Sequence, residues 1–151
     1  MKKIFFLVSI LFVATVAHAM KVGDNLPKYK IFDQFEKEHV LSSDTNILIV
    51  TSSKLTGEIV KEYLLDQEKD FLKNNNAYYI ADISQMPSMI SKLFAIPKMK
   101  EYPFSVLLID KEQAKIFNKK DDHVSIYIIK NRKVLSINYI KEKEELAHFF
   151  R

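Results

Sequence analysis

Apolar stretches punctuate the chain at Ile47-Leu48-Ile49-Val50, Ala77 to Ile83, Phe104 to Ile109, Val124 to Ile129 and Val134 to Ile140. Several run nearly unbroken instead of alternating with polar residues, which predicts strands covered on both faces. Between them the apolar spacing turns helical. From Thr56 to about Lys73, the residues Ile59, Val60, Tyr63, Leu64, Phe71 and Leu72 fall on one helical face. Thr56 is the expected cap of that helix. Leu55 and Val60 have the spacing of a hydrophobic staple, and Asn74-Asn75-Asn76 stands where a terminal glycine is usual. A second helix is predicted to start near Ser84 to Pro87, with the proline in the first turn, and to run through Ile90, Leu93 and Phe94 towards Pro97. A third covers Glu112 to Phe117, and a last one, Glu142 to Phe150, carries Leu146, Phe149 and Phe150. Asn131-Arg132 between two strand-like runs predicts a tight hairpin turn. Strands alternating with helices, then a hairpin and a closing helix, give a three-layer α/β domain.

The amino terminus has a different logic. Lys2 and Lys3 precede an apolar stretch from Ile4 to Val16, and Ala17-His18-Ala19 supplies small residues at the two positions a signal peptidase reads. Spanning a bilayer takes roughly 20 apolar residues, and this stretch is shorter. The chain is therefore expected to be exported, cut between Ala19 and Met20, and left without a stable membrane anchor. Residues 1–19 are the signal peptide and 20–151 the domain. A periplasmic location is expected, with release from the cell as the alternative.

Composition then removes whole classes of function. Loss of residues 1–19 takes two lysines and no acid, so 23 basic against 19 acidic side chains becomes 21 against 19, a net charge of +2. Charges alternate in sign, as in Lys119-Lys120-Asp121-Asp122, which is not the basic stripe that nucleic acid requires. With no cysteine the chain has no disulfides, thiol chemistry or thiolate metal sites. Gly23 and Gly57 are the only glycines, too few for a phosphate-cradling loop. No cofactor is expected.

The order of short motifs resembles a known family. Val22-Gly23-Asp24-Asn25-Leu26-Pro27, then Phe32-Asp33-Gln34-Phe35 and Lys37-Glu38-His39-Val40-Leu41, is similar to the opening of peroxiredoxin-type and TlpA-type thioredoxin-like proteins. Tyr102 to Asp110, Ala114 to Phe117 and the hairpin Ser125 to Val134 resemble their later segments. The resemblance implies a thioredoxin-like domain with a mixed central sheet. The departures fall on the chemistry. Where the family carries its reactive cysteine, this chain has Ser52-Ser53-Lys54-Leu55-Thr56-Gly57. Where the family places a proline before the next strand, it has Asp122-His123-Val124. What is implied is a redox-inactive fold put to another use, similar to the cysteine-poor periplasmic YtfJ-like proteins.

On that fold Ser52, Ser53, Lys54 and Thr56 should meet Asp122 and His123 at one edge of the sheet. This edge is the candidate binding site for an extracytoplasmic protein partner. An alternative is a hydrolase using Ser53 or Thr56 with Lys54 or His123, although no orienting group or oxyanion motif accompanies them. Met86, Met89 and Met99 raise a small-ligand or soft-metal carrier as a third reading, against the ordinary role of Met in filling core gaps. His39, His123 and His148 lack the spacing of zinc ligands. Asp82 and Asp110 end strand-like runs and are expected to begin turns. Glu144 and Glu145 suit the first turn of a helix.

Overall fold

The computed structural model describes residues 18–151. The leader expected over residues 1–19 lies outside the described residues except for its junction. Among the described residues no helix is long and apolar enough to cross a membrane.

A single sheet organises the domain. Strands β1 (Tyr29–Asp33), β2 (Glu38–Leu41), β3 (Ile47–Thr51), β4 (Ala77–Asp82), β5 (Val106–Ile109), β6 (Val124–Lys130) and β7 (Lys133–Ile140) lie in the order β2-β1-β5-β4-β3-β6-β7. The centre, β5-β4-β3, is parallel, and both flanks are antiparallel. The near-continuous apolar runs are explained by two covered faces. Ile47 and Ile49 of β3, Tyr79 of β4, Val106 of β5 and Ile126 of β6 point into one core with Val60, Tyr63, Leu64 and Leu146. Leu48, Val50, Ile80, Leu107 and Tyr127 point into the other, which Met20, Leu26, Ile116 and Phe117 close. Each strand's alternation is therefore apolar against apolar, and a covered strand shows no polar phase to read.

Helix α1 (Lys54–Leu65) starts one turn earlier than Thr56 predicts. Ser53 is the cap: its hydroxyl accepts from the Thr56 N–H at 3.2 Å, and the Thr56 hydroxyl accepts in return from the Ser53 N–H at 3.1 Å. Thr56 is thus the third residue of a capping box, and the expected staple fails because Leu55 now lies inside the first turn and is exposed. The helix also ends early at Leu65, and a short α2 (Phe71–Asn74) resumes after an irregular stretch. Leu64 and Phe71 are seven residues apart, so the apolar phase survives the break and hides it from a periodicity argument.

Segments α3 (Ser88–Ile90), a π turn (Ser91–Ala95) and α4 (Ile96–Met99) follow one another without interruption. Pro97 explains the π turn. It brings no N–H for the Leu93 carbonyl and its ring crowds that oxygen. The Ile96 N–H reaches back five residues to Ser91 instead. Pro87 sits just before this helix as its cap residue and not within its first turn. Helix α5 (Lys111–Ala114) is capped by Asp110, which accepts the Gln113 N–H at 2.8 Å. Helix α6 (Lys143–Leu146) tightens into a 3-10 turn (Ala147–Phe150). Glu144 and Glu145 lie in its first turn, and the Glu145 carboxylate accepts from the Glu142 N–H.

The predicted hairpin turn is present. Asn131 and Arg132 have φ of 50° and 66°, the left-handed pair that a two-residue turn needs. Arg132 offsets the cost of that conformation by binding the amino-terminal segment. Its guanidinium donates to the Leu26 carbonyl at 3.0 Å, and its own carbonyl accepts the Leu26 N–H.

Candidate functional site

The register of β3 against β6 brings the two expected segments to one end of the sheet. Val50 stands opposite Ser125, so Ser52 leaves β3 where Asp122 and His123 enter β6. The side chains nonetheless do not form one cluster. Thr56 is buried with its hydroxyl turned back on Ser53, 3.0 Å from the Ser53 hydroxyl. Asp122 takes a left-handed φ of 58°, and the His123 ring nitrogen Nδ1 lies 2.7 Å from the Asp121 carbonyl oxygen. Neither hydroxyl hydrogen-bonds to Lys54 or His123, so the base that a hydrolase needs does not reach its nucleophile.

What Ser52, Ser53 and Lys54 do line is a cleft of about 570 Å³ to which Asp122 and His123 do not contribute. Its floor is the carboxyl ends of β3 and β4, with Thr51, Tyr79, Ala81 and Asp82. Its far wall is the segment Ile83 to Tyr102, which contributes Met86, Ile90, Phe94, Met99 and Tyr102. Carboxyl ends of parallel strands beside a helix amino terminus are where open α/β sheets hold ligands. The volume is within the usual range for such sites, roughly 300–1,000 Å³.

The polar groups of this cleft are largely satisfied. Asp82 has a fully buried side chain, ion-paired with Lys119, and its other oxygen accepts the Ser84 N–H at 2.9 Å. The turn expected at Asp82 is real, and the side chain is also held by a partner 37 residues away in sequence. A hydrogen bond from Lys61 holds the Glu58 carboxyl below its ordinary range against the effect of burial, with Lys98 contributing at 3.8 Å. Burial pushes the Tyr79 phenol up to about 12, although its contact with the Thr51 hydroxyl at 3.2 Å works the other way. Lys54 is exposed and has no ion-pair partner among the described residues.

The far wall reverses one expectation. An amphipathic helix through Ile90, Leu93 and Phe94, with methionines in their ordinary gap-filling role, implies a buried apolar face. Met89, Leu93 and Phe94 are 70%, 62% and 66% exposed, with Leu55 of α1 at 55%. Helical periodicity reports that a face is apolar and says nothing of what covers it. Met86 and Met99 line the cleft but Met89 does not. Among the described residues no three His, Asp or Glu side chains come together to hold a metal ion.

Gln34 is a residue that sequence reasoning passed over. It is buried to 1% exposure, and its amide donates to the carbonyls of Met99 (3.1 Å) and Phe104 (2.8 Å) while accepting the Val106 N–H (2.7 Å). It ties the β1–β2 hairpin to the far wall. A lone polar residue after a strand gives no sequence signal for such a role.

No family model matches the chain, and no curated protein matches it. Solved structures do. A peroxiredoxin-like protein from Aquifex aeolicus superposes with a TM-score of 0.54 at 11% identity, covering 87% of this chain and 86% of that one. Peroxidoxin BcpB from Mycobacterium tuberculosis gives 0.53 at 15% identity, over 87% and 94%. A Chlorobium tepidum protein provisionally named thiol:disulfide interchange protein DsbE gives 0.58 at 16%, over 87% and 96%. The fold is thioredoxin-like. At these identities the likeness carries the fold alone. The thiol chemistry in those names needs a cysteine, which this thioredoxin-like chain lacks throughout its sequence.

Proposed function

We propose that this is a non-enzymatic binding protein that works outside the cytoplasm, and that it holds an extended apolar segment of a partner protein in the cleft between the start of α1 and the π-turn helix. The observation that carries this reading is the cleft's rim. Ile90 and Phe94, 45% and 66% exposed, line a preformed groove, Leu55, Met89 and Leu93 are exposed on the two helical segments that flank it, and exposed apolar surface rimmed by polar groups marks interaction sites. Cleft carboxylates neutralised by Lys119 and Lys61 favour an apolar occupant, and Lys54 offers one cation at the mouth for its polar end. The leader-like amino terminus supports the extracytoplasmic setting. Of the residues first proposed for the edge, Ser52, Ser53 and Lys54 belong to this surface, while Thr56 holds the helix start and Asp122 and His123 lie beyond it.

The test is capture from the extracytoplasmic fraction of the producing cells, comparing three proteins: the unaltered chain, a Leu93→Ser, Phe94→Ser double variant, and an Asp122→Ala, His123→Ala double variant. One partner retained by the last and lost by the first variant is expected. A partner lost only on changing Asp122 and His123 would return the site to the sheet edge.

A further inference from the structure

A second cavity, of about 470 Å³, opens at the opposite end of the sheet, at the amino ends of β4 and β5. We propose that it is a binding site for a phosphomonoester. Basic side chains from separate segments converge on it: Lys37 beside β2, His39 within β2, and Lys69 and Lys73 around α2. Asp70 is the only acid among its lining residues. None of the three lysines has a carboxylate partner among the described residues, whereas Lys30, Lys61, Lys98, Lys115, Lys119 and Lys143 each do. Lys37, Lys69 and Lys73 are exposed side chains that line the cavity, and their shared positive field draws an anion most strongly at low ionic strength.

His39 is built in. Its Nε2 lies 2.7 Å from Asp33 Oδ2, and the Asp33 side chain is 1% exposed, so the ring is fixed from behind. Asp33 in turn accepts the N–H groups of Phe35 and Lys37 at 2.8 and 3.0 Å. With Nε2 donating to the Asp33 carboxylate, the neutral ring leaves Nδ1 as an acceptor, which can take the O–H of a singly protonated phosphomonoester. Asn76 and Ser105 add polar groups to the lining, and Leu72, Tyr78 and Pro103 give it an apolar side for an organic body. Three lysines against one aspartate leave an excess of two positive charges. A phosphomonoester carries about −1.5 to −2 near neutrality and three acceptor oxygens, where a carboxylate carries a single charge. The site is invisible as a charge run because residues 37, 69 and 73 meet only through the fold. It does not depend on the cleft at the other end of the sheet.

The experiment is calorimetric titration of the purified chain with phenyl phosphate, with benzoate as the singly charged match, at low ionic strength. Phosphatidic acid vesicles are compared with phosphatidylcholine vesicles to distinguish a lipid headgroup from a soluble ester. Saturable binding of phenyl phosphate or of phosphatidic acid is expected. Benzoate should bind on the order of tenfold more weakly or less, and binding should weaken as salt is added. Each lysine removed in Lys69→Gln and Lys73→Gln should cost on the order of tenfold in affinity. Lys111→Gln, on a distant helix, should cost nothing. The proposal is overturned if neither probe binds at millimolar concentration, if benzoate binds as well as phenyl phosphate, or if the double Lys69, Lys73 variant binds as the Lys111 variant does.

Discussion

Replacing Gln34 should damage the protein more than its single uncharged side chain implies. Its amide is the partner of the Met99 and Phe104 carbonyls and of the Val106 N–H, all in the segment that builds the cleft wall and enters β5. Gln34→Ala leaves these three backbone groups without their protein partner. Each unsatisfied buried group costs about 1–3 kcal/mol, and partial relaxation of the loop brings the total to about 3 kcal/mol. With a urea dependence of about 2 kcal/mol/M for a domain this size, the unfolding midpoint falls by about 1.5 M. Gln34→Glu is the sharper probe, because it keeps the shape and exchanges the donor for an acceptor. An ionised carboxylate there faces two carbonyl oxygens, so the folded state raises its pKa above the unfolded value of about 4.3. A raised pKa makes the neutral form the favoured one. Relative to the natural chain, the variant is least impaired below pH about 4 and loses stability as pH rises through its folded pKa. The assay is urea unfolding of both proteins across pH, read as their difference at each pH. A difference independent of pH, or a Gln34→Ala cost below about 1 kcal/mol, would refute the reasoning.

Three further outcomes concern ion pairs and the amino-terminal segment. Burial works to raise the Asp33 carboxyl, but the hydrogen bond from His39 and the backbone N–H groups of Lys37 and Phe35 outweigh it and hold the group below its ordinary value. That stability is present above the unfolded carboxylate pKa of about 3.9 and is lost as pH falls through the lower folded value, so Asp33→Asn should flatten the acid limb of the unfolding curve. For the Asp82–Lys119 pair, Lys119→Met strands a fully buried carboxylate, but Lys119 is about a third exposed and water reaches it. A cost of about 1–3 kcal/mol is expected, and an Asp82→Asn, Lys119→Met cycle should show coupling of the two changes. Met20 is buried at 4% exposure, donates its N–H to the Ile116 carbonyl at 2.9 Å and accepts from Asn118. Amino-terminal sequencing should find Met20 first, and Met20→Ala should cost about 2–4 kcal/mol in unfolding experiments.

The strands from Ile47 onward were legible because buried strands must be continuously apolar, and the hairpin at Asn131-Arg132 was legible despite lacking glycine. β1 and β2 were not visible as apolar runs: Tyr29–Asp33 mixes exposed Phe32 with buried Ile31 and Asp33, and only the family resemblance pointed to them. Helix boundaries slipped where one residue type plays two roles. Ser53 and Thr56 are both acceptable caps, and the reciprocal pairing that decides between them is geometric. The site was half legible. Ser52 to Lys54 at the end of β3 followed from strand order, but Lys119 reaching Asp82 and three lysines lining one cavity with His39 are tertiary events. The exposed face of the π-turn helix misled for a deeper reason: a face kept apolar for a partner and a face kept apolar for the core have the same period.

The most direct test of the central claim is site-specific photo-crosslinking in producing cells, with p-benzoylphenylalanine placed at Phe94 on the cleft rim or at His123 beyond the sheet edge. The account predicts one covalent partner peptide, apolar in sequence, from position 94 and none from position 123. A partner captured at 123 and absent at 94 would contradict it.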